Sequence, residues 1–159
     1  MRYAIIYSSQ TGNTKKLAEE IFVDLLDKEK IITEIKSIKD IPEADVYLIG
    51  FPIHNFSCNI DVLNILERIE NSNIALFATC GLTPKEDYKK RIETTLMPWI
   101  NENCNYYGMF LCQGKAEKSF IDQINLSMPE RYEVTDMFFK ESSSHPNDED
   151  FEKAMAELA

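Results

Sequence analysis

The sequence predicts a single α/β domain over residues 1–159, built on a doubly wound sheet of five parallel strands in the order 2-1-3-4-5. Short apolar runs that suit buried strands alternate with segments whose apolar residues recur at helical spacing. Such alternation implies right-handed crossovers, and therefore a parallel sheet with helices on both faces. The chain of 159 residues can bury one core, and no repeat, linker or low-complexity tract divides it.

In the first half of the chain, changes in the spacing of apolar residues predict where strands and helices lie. Residues 3–8 form an apolar run typical of a buried strand, and residues 30–38 and 44–50 predict the second and third strands. Residues 13–28 predict the first helix. Its apolar face consists of Leu17, Ala18, Ile21, Phe22, Leu25 and Leu26.

The second half continues the alternation. Residues 60–69 and 85–100 predict amphipathic helices, and residues 73–79 and 106–112 predict the fourth and fifth strands. Residues 115–146 are less regular, with a short helix predicted around residues 119–126. A final helix is predicted from the i, i+3, i+4, i+7 spacing of Phe151, Ala154, Met155 and Leu158.

Charge and composition limit the partners. The chain has 17 Lys and Arg against 27 Asp and Glu, a net charge of −10. This charge disfavours nucleic acid and anionic membranes and favours a partner protein with a basic docking face, although solubility alone explains it equally well. No stretch approaches the roughly 20 apolar residues of a membrane helix. The first apolar run stops at Ser8, too early for a signal peptide, so we expect a cytoplasmic protein.

The four cysteines are Cys58, Cys80, Cys104 and Cys112, with no CxxC pair. We therefore expect neither a zinc or iron–sulfur site nor a disulfide framework. Core packing is the expected role of Cys58 and Cys80.

The most informative segment is the Ser-Ser-Gln-Thr-Gly-Asn-Thr loop at residues 8–14, between the first strand and the first helix. Hydroxyl groups, a glycine that permits a tight turn, and the positive end of the helix dipole together form a phosphate cradle without Lys or Arg. Helix capping alone is the alternative, but capping requires one such residue and five of these seven are Ser, Thr or Asn.

The pattern Ser9-x-Thr11-Gly12-x-Thr14 resembles the phosphate loop of the flavodoxin family. No GxGxxG or GxxxxGK[ST] motif supports a dinucleotide or triphosphate site instead. The resemblance extends over the whole chain through the strand order, and it implies the cofactor FMN. It also implies that the phosphate is held by Ser9, Gln10, Thr11, Gly12, Asn13 and Thr14.

Two further loops follow the third and fourth strands, and in flavodoxins the corresponding loops hold the flavin ring. Gly50-Phe51-Pro52 is similar to a Gly-x-Pro pattern that recurs there. His54 or Phe56 is a candidate ring wall, and Asn55 is the residue suited to a left-handed turn because no glycine follows Phe51 in the loop. The candidate ring-binding residues are Pro52, Ile53, His54, Asn55, Phe56, Thr79, Cys80, Gly81 and Leu82.

Three functions remain open at this stage. The first is an FMN-binding electron carrier for a partner reductase, in which the flavin carries the chemistry and no catalytic side chain is needed. The second is a flavin-dependent NAD(P)H reductase of a small organic substrate, and the third is an accessory subunit that binds no flavin. Residues 112–115 and 143–150 resemble a flavodoxin-like branch of anaerobic bacteria, some members of which accompany tetrapyrrole reductases such as those acting on bilirubin.

Overall fold

The computed structural model describes residues 1–26, 29–81, 85–114 and 148–158. Five parallel strands form one sheet in the order 2-1-3-4-5, which confirms the predicted fold class. In chain order the strands are β1 (Tyr3–Tyr7), β2 (Lys30–Glu34), β3 (Val46–Pro52), β4 (Asn73–Cys80) and β5 (Asn105–Gln113).

Helices cover both faces of the sheet, and their apolar stripes account for the two halves of the core. They are α1 (Asn13–Asp24), α2 (Ile60–Arg68), α3 (Glu86–Leu96) and α4 (Asp148–Leu158). On one face, Leu17 and Ile21 of α1 and Ala154 of α4 pack with Phe77 of β4. On the other face, the buried residues of α2 and α3 pack against alternate residues of the same strands. The final helix is therefore confirmed, whereas the helix predicted around residues 119–126 lies outside the described residues.

The first helix ends earlier than its apolar pattern predicts. It stops at Asp24, Leu25 is extended (φ −64°, ψ 124°), and Leu26 is 98% exposed. The cause lies in the next strand, because the Lys30 ammonium donates to the carbonyl oxygens of Phe22 and Leu25 at 2.7 and 2.9 Å. A lysine that binds the last carbonyls of a helix stabilises its end. The prediction of a helix to residue 28 was wrong for this reason.

Two other elements are shorter than predicted because tight 3-10 turns replace their ends. The second strand stops at Glu34 and a turn over Ile35–Ser37 follows it. Helix α3 stops at Leu96 before a turn over Met97–Trp99, where Pro98 has no N–H to continue the helix. The third strand is displaced by two residues relative to its prediction and continues to Pro52.

The revised end of α1 leads to a stability prediction. Replacing Leu26 by serine is expected to change the free energy of unfolding by less than about 0.5 kcal/mol, because the side chain is exposed. Replacing the fully buried Leu17 by alanine is expected to cost about 2–5 kcal/mol. Urea unfolding of both variants measures the difference. A large loss for the Leu26 variant would contradict the early end of the helix.

A bulge interrupts the pairing of β4 with β5. Ile74 pairs with Tyr106 and Leu76 with Met109, so β5 contains one extra residue. Gly108 lies in this bulge with φ 117°, a left-handed conformation that glycine adopts without steric cost. The bulge keeps the later residues of β5 in register with the end of β4.

The parallel sheet gathers all strand ends at one edge. Because β1 lies between β2 and β3, the connections leaving β1 and β3 turn to opposite faces. In open α/β sheets ligands bind in the crevice beyond the carboxyl ends of two such strands. The loops that the sequence identifies as a candidate site follow β1, β3 and β4 at this edge. Within the described part of the chain, no helix has the length and apolar character needed to cross a membrane.

Candidate functional site

The loop after β1 begins with a buried, well-anchored residue. Ser8 is 4% exposed, and its N–H donates to the carbonyl oxygen of Gly50 in β3 at 2.9 Å. Gly12 ends the loop with φ 94°, and α1 begins at the next residue. A left-handed residue at this point turns the chain sharply, so that the loop wraps around the start of α1.

Ser9 caps the helix through its side chain. Its Oγ accepts hydrogen bonds from the backbone N–H groups of Gly12 at 3.2 Å and Lys15 at 3.3 Å. A hydroxyl accepts with two lone pairs and still has one proton to donate. Ser9 therefore caps α1, the role that the sequence offered as the alternative to phosphate binding. Its hydroxyl proton can still be donated to an anion.

The remainder of the loop favours a negative ligand. Gln10 and Thr11 are exposed, and Asn13 is half-buried. The amides of Asn13 and Thr14 lie in the first turn of α1, where an α-helix has no internal acceptor for them. No acidic residue occupies this turn, so nothing in it opposes an anion at the positive end of the helix.

Thr14 differs from the other predicted phosphate ligands because it is buried. It is 2% exposed, and its Oγ1 lies 2.9 Å from Oγ1 of Thr79 at the end of β4. Thr79 is also buried, at 4% exposure. This hydroxyl pair joins the start of α1 to the neighbouring strand end, across 65 residues of sequence.

The loop after β3 forms a tight turn. His54 and Ser57 exchange two backbone hydrogen bonds of 2.8 and 2.9 Å. The two residues between them are left-handed, with φ 49° at Asn55 and 62° at Phe56. The sequence predicts this conformation for Asn55 but not for Phe56. A bulky residue with positive φ stores strain of about 1–3 kcal/mol, which the surrounding contacts must offset.

Helix α3 supplies contacts that hold Phe56. The Tyr88 ring meets the Phe56 ring edge-on, with centroids 5.4 Å apart, and the Arg91 guanidinium lies 3.8 Å from the Phe56 ring centre. Aromatic and cation–π pairs of this kind each contribute about 0.5–1.5 kcal/mol. Phe56 is thereby fixed against α3, whereas His54 is exposed in the same loop.

Backbone hydrogen bonds join the end of β4 to the residues that follow β3 and β5. The N–H of Ile53 donates to the carbonyl oxygen of Thr79 at 2.9 Å, and the N–H of Gly114 donates to that of Cys80 at 2.6 Å. Cys80 is buried and Gly81 is exposed. Pro52, the last residue of β3, is half-buried, and Leu82 lies outside the described residues. The strand ends therefore bring the three candidate loops together at one edge.

Sequence reasoning missed Asn59, which immediately precedes α2. Its Nδ2 donates to Oγ of Ser8 at 3.3 Å, and no helix N–H binds its side chain. Its Oδ1 is buried and has no hydrogen-bond partner among the described residues. An asparagine directly before a predicted helix signals a cap. Here the side chain instead joins the loop after β3 to the loop after β1.

Two cysteines near the site, Cys58 and Cys112, are buried, and burial disfavours the thiolate form of each. Burial raises the pKa of the Cys58 thiol to about 12. Burial also raises the pKa of the Cys112 thiol, with a smaller contribution from the Asp150 carboxylate. Since the thiolate is the reactive form, these thiols are suited to packing rather than to chemistry.

Thiol labelling tests this conclusion. At pH 8 a pKa of about 12 leaves about one Cys58 in ten thousand ionised. We expect iodoacetamide to modify the half-buried Cys104 first and to leave Cys58 unmodified until the protein unfolds. Peptide mass spectrometry of the folded protein at pH 8 measures the order. Equal rates at Cys58 and Cys104 would contradict the buried, neutral thiol.

The donors at this edge fit a phosphate ester attached to a larger group. The Ser9 hydroxyl and the first turn of α1, which follows the left-handed Gly12, present donors, and no acidic residue lies in that turn. The loop residues 52–59 beside them include no Asp, Glu, Lys or Arg, and His54 among them is exposed. This arrangement suits an anionic group at β1 and a flat, weakly polar group beside β3.

Comparison with known proteins agrees with this geometry. A family model described as Flavodoxin domain matches residues 4–158. The flavodoxin-like domain-containing protein BilS of Clostridioides difficile strain CD3 is 30% identical over 164 residues, which cover 97% of this chain and 92% of that protein. The protein of the same description from Clostridium symbiosum strain WAL-14163 is 27% identical over 141 residues, 77% of this chain and 73% of the relative.

Solved structures share the fold at low sequence identity. A flavoprotein from Lactobacillus acidophilus NCFM, solved in complex with FMN, has a TM-score of 0.52 and 21% identity, covering 77% of this chain and 97% of that one. A WrbA-like flavodoxin from Agrobacterium tumefaciens has a TM-score of 0.54 and 12% identity, covering 86% and 98% of the two chains. At these identities the similarity establishes the arrangement of strands and helices.

Proposed function

Because the chain belongs to the flavodoxin family, we propose that it binds FMN at the carboxyl edge of its sheet and transfers electrons to or from a partner reductase. The observation that carries the proposal is the loop of residues 8–14. It places the Ser9 hydroxyl, the left-handed Gly12 and the first turn of α1 together at the crevice between β1 and β3. A phosphate binds at such a helix start without a basic side chain.

The loop residues divide the task of holding the phosphate. Ser9 donates its remaining proton, and the amides of Asn13 and Thr14 add donors from the first turn of α1. Gly12 provides the turn that directs these groups inward. Gln10 and Thr11 are exposed beside them and complete the loop. The solved relative with FMN, from Lactobacillus acidophilus, supports the choice of ligand.

The loops after β3 and β4 would hold the flavin ring. When bound, FMN supplies reversible uptake of one or two electrons, and the protein supplies binding and orientation. In this proposal His54 forms one wall of the ring site, in a turn that two backbone hydrogen bonds between His54 and Ser57 close. Phe56 supports that turn from the side of α3. No side chain in this proposal acts as a catalytic acid, base or nucleophile.

The proposed partner is a cytoplasmic redox protein with a basic docking face. The net charge of −10 supports this choice, because opposite charge accelerates encounter. Exposed Asp61, Glu86 and Asp87 lie in the first turns of α2 and α3, which follow the two proposed ring loops. If these carboxylates guide docking, the rate of electron transfer falls as salt is added.

Anaerobic mixing with NADPH tests the carrier function. The FMN-loaded protein is mixed with NADPH or NADH alone, and the visible flavin spectrum is followed with time. We expect slow bleaching by either nucleotide and rapid bleaching when a flavodoxin reductase is added with NADPH. Rapid bleaching by NADPH alone would contradict the carrier and establish a stand-alone reductase.

A further inference from the structure

We propose that Thr79 is a positioning residue that directs the Thr14 hydroxyl proton toward the phosphate of the flavin. Thr79 Oγ1 lies 2.9 Å from Thr14 Oγ1, and both residues are less than 5% exposed. Thr79 acts through Thr14 and has no contact with the phosphate in this proposal. The inference rests on the proposed FMN site and assigns a specificity role to the end of β4.

The Thr14–Thr79 pair has two hydroxyl protons. Each threonine hydroxyl has one proton, so only one of the two is donor in their shared hydrogen bond. If Thr14 donates to Thr79, Thr14 presents only lone pairs to an approaching anion. If Thr79 donates to Thr14, the Thr14 proton is free for a phosphate oxygen. Phosphate binding therefore selects the second arrangement.

Which threonine donates matters for phosphate binding because both hydroxyl groups are buried. At 2% and 4% exposure, water does not replace a missing partner for Thr14 or Thr79 easily. In such an environment a chain of hydrogen bonds ending on an anion strengthens each member. The arrangement requires a hydroxyl at position 79, because a methyl group there donates nothing.

The position of Thr79 also connects two parts of the site. Its carbonyl oxygen accepts the Ile53 N–H at 2.9 Å, while its hydroxyl contacts Thr14. One residue therefore joins the loop that holds the phosphate to the loop that holds the ring. The side chain makes the Thr14 contact and the main chain makes the Ile53 contact. A side-chain substitution therefore tests the Thr14 contact without removing the hydrogen bond from Ile53.

The test compares FMN with riboflavin, which lacks the phosphate. Thr79→Val keeps the shape and removes the hydroxyl, and Thr79→Ser restores the hydroxyl. We expect Thr79→Val to reduce the preference for FMN over riboflavin by about tenfold, with riboflavin affinity unchanged. We expect Thr79→Ser to recover most of the lost preference. Thr94→Val is the matched control, because the exposed Thr94 hydroxyl donates to the Lys90 carbonyl oxygen within α3 and lies outside the candidate loops.

A double-mutant cycle with Thr14→Val separates this role from a structural one. If Thr79 acts through Thr14, Thr79→Val has no further effect on the preference once Thr14→Val is present. An equal loss of FMN and riboflavin affinity, or an unchanged preference in Thr79→Val, would overturn the proposal. If the valine variant does not fold, Thr79→Ala serves the same comparison. Wild-type protein without any preference for FMN would overturn the proposed phosphate site and this inference together.

Discussion

Replacing Gly12 by valine is expected to weaken FMN binding by about 100-fold while riboflavin binding changes little. Gly12 has φ 94°, and a β-branched residue adopts that conformation only at a cost of about 1–3 kcal/mol. The loop is expected to relax, and the amides at the start of α1 then lose their common direction. Fluorescence titration with the two flavins measures both affinities.

The matched control is Gly108→Val in β5. Gly108 also has positive φ, 117°. Apart from its chain neighbours, neither glycine has an atom of the described residues within 4 Å of the position a Cβ would take. The two substitutions therefore introduce similar backbone strain, but Gly108 lies in the β4–β5 bulge, away from the loop. We expect Gly108→Val to lower stability and to preserve the FMN preference. The same loss of preference in both variants would show that general destabilisation, and not the loop, causes it.

Replacing Gly50 by alanine is expected to lower the free energy of unfolding by about 1–3 kcal/mol. A Cβ on Gly50 would collide with the ring of Phe77, a fully buried residue of the neighbouring strand. The residues pair directly across β3 and β4, so neither strand can move away without disturbing the sheet. Urea unfolding of the variant and the wild type measures the loss.

The collision has a specific partner, which permits a second test. In a Phe77→Leu background the ring is absent, and Gly50→Ala is expected to cost clearly less than in the wild type. An unchanged cost would contradict the collision and point to the backbone of Gly50 instead. The Gly50 carbonyl also accepts the Ser8 N–H, so flavin titration of Gly50→Ala shows whether displacement of β3 reaches the loop.

The sequence predicts the sheet order, which the structure confirms, and it identifies the candidate phosphate loop; both depend on local patterns. Apolar runs and helical spacing are properties of neighbouring residues, and the hydroxyl-rich loop with Gly12 is contiguous. The strand ends that bring the candidate loops together follow from parallel topology alone. These features required no knowledge of distant contacts.

The features that the sequence did not predict depend on residues far apart in the chain. Lys30, from the following strand, ends α1 early by binding its last carbonyls. Phe56 is held left-handed beside Arg91, which lies 35 positions later in α3. The Thr14–Thr79 pair and the Asn59–Ser8 contact join separate loops. No local pattern contains these partners.

Titration of the apoprotein with FMN, riboflavin and FAD tests whether the protein binds a flavin through its phosphate. Quenching of flavin fluorescence and the visible spectrum report binding, and circular dichroism verifies that the protein is folded. We expect tight binding of FMN and much weaker binding of riboflavin, because among these flavins only FMN has the terminal phosphate that the loop of residues 8–14 is proposed to hold. Equal affinities for FMN and riboflavin, or no flavin binding by folded protein, would contradict it.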